Sequence, residues 1–379
     1  MLVGIDASRA ARAIRTGTEG YSLHLIEALL RRPGDTDYRL YVDRVPGGDF
    51  PRSDRAECRV IRLPRLWTQV RLAADLVRQP PDLLFVPSHV IPVVCPVPSV
   101  ATIHDVGYLW HRSAYTPFAW FLLHLGTLRN ARAARLIVVD SQATARDLVD
   151  HFRVAPERIR VAYLGAPPVR DLTPDRSILA RYSLPANYFL FVGTLQPRKN
   201  LGRLLQAFAR VIKSTRTQIV LALAGAPGVG TPRLVQQAAE LGIDNRIRWL
   251  SYVPSQDVPH LYAGAVGFVY PSLYEGFGLP ALEAMALGTP VIASNGSSLP
   301  EVVGSAGLLV DPYDVDGLAR TMIRLLDDNH LRNRLIVAGR EQVRHFSWDR
   351  CAAVVESTLV EAVRGVEGSS GTNVADRAS

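Results

Sequence analysis

From residue 2 to about residue 310 the chain alternates short apolar runs with longer amphipathic stretches, a rhythm that parallel sheets flanked by helices accommodate. In the first half, strands are expected near Leu2–Ile5, Tyr38–Val42, Glu57–Arg62, Leu83–Val86, Ser99–Ile103 and Leu136–Val139. The second half repeats the scheme near Phe189–Val192, Gln218–Ala224, Ile247–Leu250, Gly267–Val269, Pro290–Ala293 and Gly307–Val310. A chain of 379 residues is long for one core and sufficient for two, so the two sets of strands read as two domains. Gly165-Ala-Pro-Pro168 is a stiff connection that sets the expected boundaries at 1–167 and 168–345. A final helix begins around Phe346-Ser-Trp-Asp-Arg350 and is expected over 346–365, whereas 366–379 is polar, poor in aromatics and reads as a disordered tail.

The stretch Glu275-Gly-Phe-Gly-Leu-Pro-Ala-Leu-Glu283 joins two carboxylates through a glycine-rich turn that opens a helix. The apolar run Ala265–Ser272 ahead of it reads as a buried strand ending in a loop. The helix is expected from Pro280 to Leu287, because proline suits a first turn and Gly288 followed by Pro290 supplies the stop. Gly276 and Gly278 leave backbone amides uncovered just before the helix, where they and its positive end can face a diphosphate. Carboxylates beside such an anion make sense as acceptors for hydroxyls of the ligand's sugars. Taken in isolation, the same pair also reads as an ordinary first-turn helix carboxylate and a solvated loop residue.

Only two of the 43 basic residues are lysines, Lys199 and Lys213. Lys199 stands in Gly193-Thr-Leu-Gln-Pro-Arg-Lys-Asn200, between an apolar strand and a helical pattern starting at Leu201. An ammonium beside the Arg198 guanidinium at that junction makes a phosphate clamp; the plainer reading is Asn200 as a helix N-cap among solvated charges. Ser99-Val-Ala-Thr-Ile-His-Asp105 is a buried-type strand ending in His104 and Asp105, where open parallel sheets bind their ligands. A lone histidine there is more often structural than catalytic. The loop Asp6–Gly20 carries Gly17-Thr-Glu-Gly20 before a helix expected at Tyr21–Leu30, and its glycines allow close approach of a phosphate or sugar, as those of a plain surface loop would.

Other classes lack their anchors. No Gly-x-Gly-x-x-Gly follows the first strand and no Walker sequence occurs. Asp35-Thr-Asp37 and Asp314-Val-Asp316 could evoke a metal-diphosphate site, but turn and capping chemistry explains both, and no metal is assigned. Three widely spaced cysteines, Cys58, Cys95 and Cys351, fit a reducing cytosol, and Met1–Asp6 lacks the features of a signal peptide. No apolar run is long enough to span a bilayer, so any membrane contact is expected to be peripheral. Most of the net charge of +8 lies in the N-terminal half. There Phe118–Leu128, followed by Arg129, Arg132 and Arg135, could rest on lipid with its aromatic face, although such a stripe is more often a core helix. Nucleic-acid binding is not expected, because aromatics do not interleave with the basic residues outside that segment.

The Glu275–Glu283 block, the Gln196-Pro-Arg-Lys-Asn200 string and the Thr102-Ile-His-Asp105 string together resemble the motifs of the family 4 retaining glycosyltransferases, and the Gln196–Asn200 string resembles forms common among bacterial polysaccharide mannosyltransferases. The resemblance implies an α/β chain of GT-B type, with two Rossmann-like doubly wound domains facing a deep cleft and the last helix crossing back to the first domain. It implies a metal-independent hexosyltransferase without a cofactor. Its donor would be a nucleoside diphosphate sugar, GDP-mannose being favoured, and its acceptor a glycan or a polyprenyl-diphosphate-linked glycan of cell-surface polysaccharide or lipopolysaccharide synthesis, at the cytoplasmic face of the plasma membrane. Glu275 would hold the donor hexose, Glu283 the ribose, and Gly276, Phe277, Gly278 and Leu279 the diphosphate and hexose through their backbone. Arg198 and Lys199 would bind the diphosphate, His104 would lie beside the reacting hexose with Asp105 as its orienter on the acceptor side, and Gly17 and Gly20 would cover the donor phosphates. A UDP-sugar epimerase or hydrolase of GT-B shape, and a non-catalytic GT-B partner subunit, are the alternatives.

Overall fold

The computed structural model describes residues 1–12, 17–63, 67–88, 90–112 and 115–370, the last five of these by their backbone alone. The chain forms two compact units. Met1–Val106, Phe118–Gly165 and the chain from Ser347 onward make the first; Gly107–Pro117 and Ala166–Phe346 make the second. A single cut at residue 167 therefore misses one exchange, since the eleven residues after Val106 group with the second unit.

The first unit is built on seven parallel strands, β1 (Leu2–Asp6), β2 (Asp37–Val42), β3 (Ala56–Val60), β4 (Leu83–Val86), β5 (Ser99–Ile103), β6 (Leu136–Val139) and β7 (Ile159–Val161), in the order β3-β2-β1-β4-β5-β6-β7. The second has six, β8 (Tyr188–Val192), β9 (Val220–Ala224), β10 (Ile247–Ser251), β11 (Gly267–Tyr270), β12 (Val291–Ser294) and β13 (Leu308–Val310), in the order β10-β9-β8-β11-β12-β13. Every pairing is parallel. Parallel strands need long crossovers, and the intervening helices cover both faces of each sheet, so central strands must be apolar on both sides. Accordingly β4, β5, β6, β9, β11 and β12 are buried along their whole length. Phe189 and Phe191 of β8 are fully buried, and each such ring contributes on the order of 2–3 kcal/mol of transfer free energy.

The helix Trp348–Ser370 packs on the helix Gly17–Arg31 and along β4 to β7, within the first unit. Cys351, Ala352, Val355, Leu359 and Ala362 form its buried stripe at helical spacing. Gly165 is fitted to this docking, because a side chain there would collide with Trp348. The remainder of the expected tail, 371–379, lies outside the described residues.

The segment Phe118–Leu128 falls in the helix Pro117–Ala133, and it is not a core helix. Phe118 (70%), Phe121 (54%), Leu122 (49%) and Leu125 (49%) are exposed, while Gly126, Asn130 and Ala131 make the buried contact. No helix among the described residues is long and apolar enough to cross a membrane.

Candidate active site

In each sheet the strand order reverses at one place, between β1 and β4 in the first unit and between β8 and β11 in the second. Loops leaving the two strands there run to opposite faces and open a crevice at the strands' carboxyl ends. In the second unit those loops carry Arg198, Lys199 and Glu275.

After β8 the chain makes a single tight turn at Pro197–Lys199 and passes through Asn200 in the left-handed conformation (φ 61°) before the helix Leu201–Ser214. The plainer alternative, Asn200 as a side-chain cap, is not the role it takes. Its side chain makes no capping bond; Nδ2 instead donates to the carbonyls of Pro271 (3.1 Å) and Pro312 (2.6 Å). With the Leu273 amide donating to the Arg198 carbonyl (2.8 Å), the two loops are laced together.

That lacing brings three charges together. Lys199 Nζ donates to Glu275 Oε1 (2.5 Å) and to the Tyr270 hydroxyl (2.6 Å). Arg198 Nη1 donates to Glu275 Oε2 (2.9 Å) and to the Tyr274 carbonyl (2.8 Å). Lys199 and Glu275 are buried, which by itself favours a neutral carboxyl, but the two cations outweigh burial and hold Glu275 at about 2. Two cations against one carboxylate leave a net positive charge. The Glu275 backbone is fixed as well: its amide donates to Ser297 Oγ (2.9 Å), and Ser298 Oγ lies 2.9 and 2.7 Å from the carbonyl oxygens of Glu275 and Phe277.

The loop closes into the helix Leu279–Ala286 at Gly278, whose φ of 114° and whose approach to Leu299 Cδ2, 2.6 Å from where a Cβ would sit, require glycine. The positive end of that helix lies at Gly278–Leu279, beside the basic pair's loop. Glu283, inside the helix, accepts from the Tyr262 hydroxyl (3.2 Å), and burial pushes its carboxyl up to about 7. The two glutamates of one block are thus set to opposite protonation behaviour, one by cations and the other by desolvation.

In the first unit, β5 and β6 pair in register with Ile103 opposite Val139, so the next residues, His104 and Asp140, emerge side by side. His104 Nδ1 lies 2.7 Å from Asp140 Oδ2, and Nε2 lies 2.9 Å from the Pro87 carbonyl at the end of β4. The carboxylate bonded to the ring is therefore that of Asp140 and not of the expected Asp105, because the parallel neighbour supplies a carboxylate aligned with residue 104. Asp105 adds its charge to the field at the ring.

Gly17 and Gly20 are not loop residues. They lie in the first turn of the helix Gly17–Arg31, where Glu19 pairs with Arg9 (2.7 Å), and among the described residues nothing beyond their own helix and chain neighbours lies within 4 Å of where a Cβ would be. Residues 13–16 of the expected glycine-rich loop lie outside the described residues. Asp314 of the second Asp-x-Asp triplet caps the helix Val315–Asp327 by accepting from the Gly317 amide (2.8 Å).

Two residues that sequence reasoning passed over join the second unit's cluster. Trp110 stacks on Tyr274 with ring centroids 5.1 Å apart. Its neighbour His111 is held below the ordinary imidazole range by burial and then by the Arg198 charge. The only available signal was the Trp110-His111 pair shortly after the His104-Asp105 string.

Two family models cover most of the chain: "Glycosyltransferase Family 4" matches residues 10–170 and "Glycosyl transferases group 1" matches residues 181–342. The chain is 37% identical over 263 residues to the O-antigen chain mannosyltransferase B of Escherichia coli, a match covering 67% of this chain and 68% of that protein. Further relatives are matched over a little more than half of their own length. Among solved structures, sucrose-phosphate synthase from Thermosynechococcus elongatus superposes with a TM-score of 0.74 at 22% identity, covering 97% of this chain and 99% of that one. Anabaena HepE in complex with UDP-glucose superposes with a TM-score of 0.67 at 20% identity, covering 97% and 99%. At these identities the structural matches speak for the fold.

The cation-held carboxylate makes a pH prediction. Glu275 is depressed from an unfolded value near 4.3 to about 2, so its contribution is present above the unfolded value and lost as pH falls from about 5 towards 2. Urea denaturation of the parent should show this group's share, on the order of 3 kcal/mol, disappearing over that window. Glu275→Gln should be destabilised at pH 7 and lose less stability on acidification; parallel pH dependences of the two proteins would refute the buried ion pair.

Proposed function

The chain belongs to the family 4, group 1 glycosyltransferases of GT-B fold, and from that premise we propose that it moves a hexose, mannose in the favoured case, from a nucleoside diphosphate sugar to a glycan or polyprenyl-diphosphate-linked acceptor. The observation that carries this reading is the Lys199–Glu275–Arg198 cluster at the β8/β11 reversal. Arg198 and Lys199, with the amides of Gly276–Leu279, stabilise charge developing on the leaving diphosphate, where fixed donors are most valuable because they need no reorganisation. This pair does the work a divalent metal would otherwise do, so the reaction is metal-independent. Glu275, kept ionised, retains lone pairs for hexose hydroxyls beyond those its cations use. Glu283 accepts from the ribose hydroxyls. His104 is assigned to the hexose, Asp105 to the acceptor side, and Gly17 and Gly20, in the first turn of a helix, to the donor phosphates, all on the family resemblance.

The mannose preference follows the relative named as an O-antigen chain mannosyltransferase; the nucleotide-sugar class is supported by a structural neighbour bound to UDP-glucose. Peripheral contact with a membrane, and so access to a lipid-linked acceptor, is supported by the exposed aromatic and aliphatic side chains of the helix Pro117–Ala133, with Arg132 exposed on the same helix. Aromatic and aliphatic side chains sink into the headgroup boundary while arginines meet anionic lipid.

Calorimetry with GDP-mannose, UDP-glucose, UDP-GlcNAc and dTDP-rhamnose in chelator should show binding of one donor, weakened at least ten-fold, about 1.4 kcal/mol, by Lys199→Ala and by Glu283→Ala. Because the Glu283 carboxyl ionises as pH rises through about 7, affinity should be roughly ten-fold tighter at pH 8 than at pH 6, and Glu283→Gln should flatten that slope. No binding by any donor, or binding indifferent to both alanine variants, would overturn the site. Sedimentation with anionic vesicles should pull down the parent and lose Phe118→Ser/Phe121→Ser, with neutral vesicles retaining neither; equal pull-down of parent and variant would reject the membrane face.

A further inference from the structure

The surroundings of His104 are unusual for a histidine expected to touch a sugar. Both ring nitrogens already face protein groups that can only accept. Nδ1 meets the Asp140 carboxylate at 2.7 Å, and Nε2 meets the Pro87 carbonyl at 2.9 Å. A carbonyl has no proton to give, and neither has an ionised carboxylate. In a neutral ring one nitrogen bears a lone pair, which here would point at another lone pair at hydrogen-bond distance.

The one hydroxyl nearby does not relieve this. Ser88 Oγ lies 3.5 Å from Nε2, but it is shared with Ser22 Oγ (2.6 Å) and the Thr18 carbonyl (3.3 Å), and Ser22 Oγ itself turns to the Thr18 carbonyl (3.0 Å). Each serine thus has an acceptor for its proton nearer than the ring, and with those bonds made Ser88 Oγ is a third acceptor for a proton on Nε2. Asp140 adds a demand of its own: Oδ1 is buried with no hydrogen-bond partner among the described residues, so its negative charge is compensated chiefly by the ring.

We infer that Asp140 and the Pro87 carbonyl together hold His104 as a doubly protonated imidazolium, which makes Asp140 a positioning residue for His104 and withdraws that ring from proton transfer. The arrangement spans the carboxyl ends of three adjacent strands, with Pro87 after β4, His104 after β5 and Asp140 after β6. The imidazolium is the tie between them. For the sugar transfer proposed above, on which this step alone rests, His104 then acts as a fixed charge that orders the strand ends, and it cannot be the base that accepts the acceptor hydroxyl's proton.

The charged and titratable groups around the ring agree. Burial disfavours the cation, but the Asp140 carboxylate outweighs it and Asp105 adds to the same effect, so the His104 value is raised. Burial also raises Asp140, with His104 opposing it. From the helix Gly17–Arg31, Tyr21 presents its ring edge-on at 4.6 Å. Tyr21 and Cys351 of the last helix are both pushed upward by burial and stay neutral, so they offer no competing charge. With a raised value, the cation is fully present below the ordinary imidazole range and is lost only as pH rises through the raised one.

The test is long-range 1H–15N spectroscopy of the histidine rings in the 379-residue chain, which has nine histidines, with His104→Gln to assign the signal. The parent should show both His104 nitrogens protonated at pH 7 and titrating above the ordinary imidazole range. Asp140→Asn, which keeps shape and removes charge, should lower the protonation constant at least about ten-fold and reveal a single neutral tautomer at pH 7. A neutral His104 in the parent at pH 7 would overturn the inference, and so would an Asp140→Asn protein whose His104 titrates as the parent does. Should Asp140→Asn not fold, the parent titration decides alone. Donor calorimetry on the same samples separates the two proposals, since failure to bind donor would sink the functional reading while leaving the ring spectrum to stand or fall by itself.

Discussion

A buried ammonium and a buried carboxylate, Lys199 and Glu275, form the contact on which the second unit's chemistry depends. Such a pair does little for stability compared with an apolar pair of the same shape, yet removing one partner leaves an uncompensated charge, at a typical cost of about 3–5 kcal/mol. Its presence therefore has to be read through what surrounds it. Asn200 laces one loop to the other, Ser297 and Ser298 hold the Glu275 backbone, and Arg198 takes the second carboxylate oxygen. Preorganisation on this scale is what an electrostatic site requires, because donors already aimed at a developing charge need not turn towards it during the reaction.

The strand order places this cluster. In both sheets the chain builds outward in one direction and then returns to the middle, so that β8 and β11, or β1 and β4, are neighbours whose connections diverge. A short loop at β8 ends in Arg198 and Lys199; another at β11 ends in Glu275 and the glycine turn. Residues 76 apart in sequence meet for that topological reason. The same parallel logic sets His104 beside Asp140 in the first unit, one residue past paired positions on β5 and β6.

Much of this was legible in the chain. Twelve of the strands were identified to within a residue or two, the central ones most plainly, because strands buried on both faces carry no polar alternation to confuse them. The missing strand, β7, is Ile159-Arg-Val161, three residues at a sheet edge with an arginine in the middle, too short to rise above its surroundings. The glutamate block and the basic pair were readable because glycine, proline and a rare lysine mark them locally. Asp140 was not, since its role exists only through inter-strand register. Gly17 and Gly20 misled because glycine is a poor helix former, although a first turn tolerates it. Phe118–Leu128 is apolar around nearly its whole circumference, and such a pattern cannot say which face a helix buries, or whether it buries one at all.

The most direct test is a crystal structure of the protein with its bound donor. The account predicts the diphosphate against Arg198, Lys199 and the Gly276–Leu279 backbone, a hexose hydroxyl on Glu275 and the ribose on Glu283. A donor bound elsewhere, or one whose diphosphate lies out of reach of Arg198 and Lys199, would contradict it.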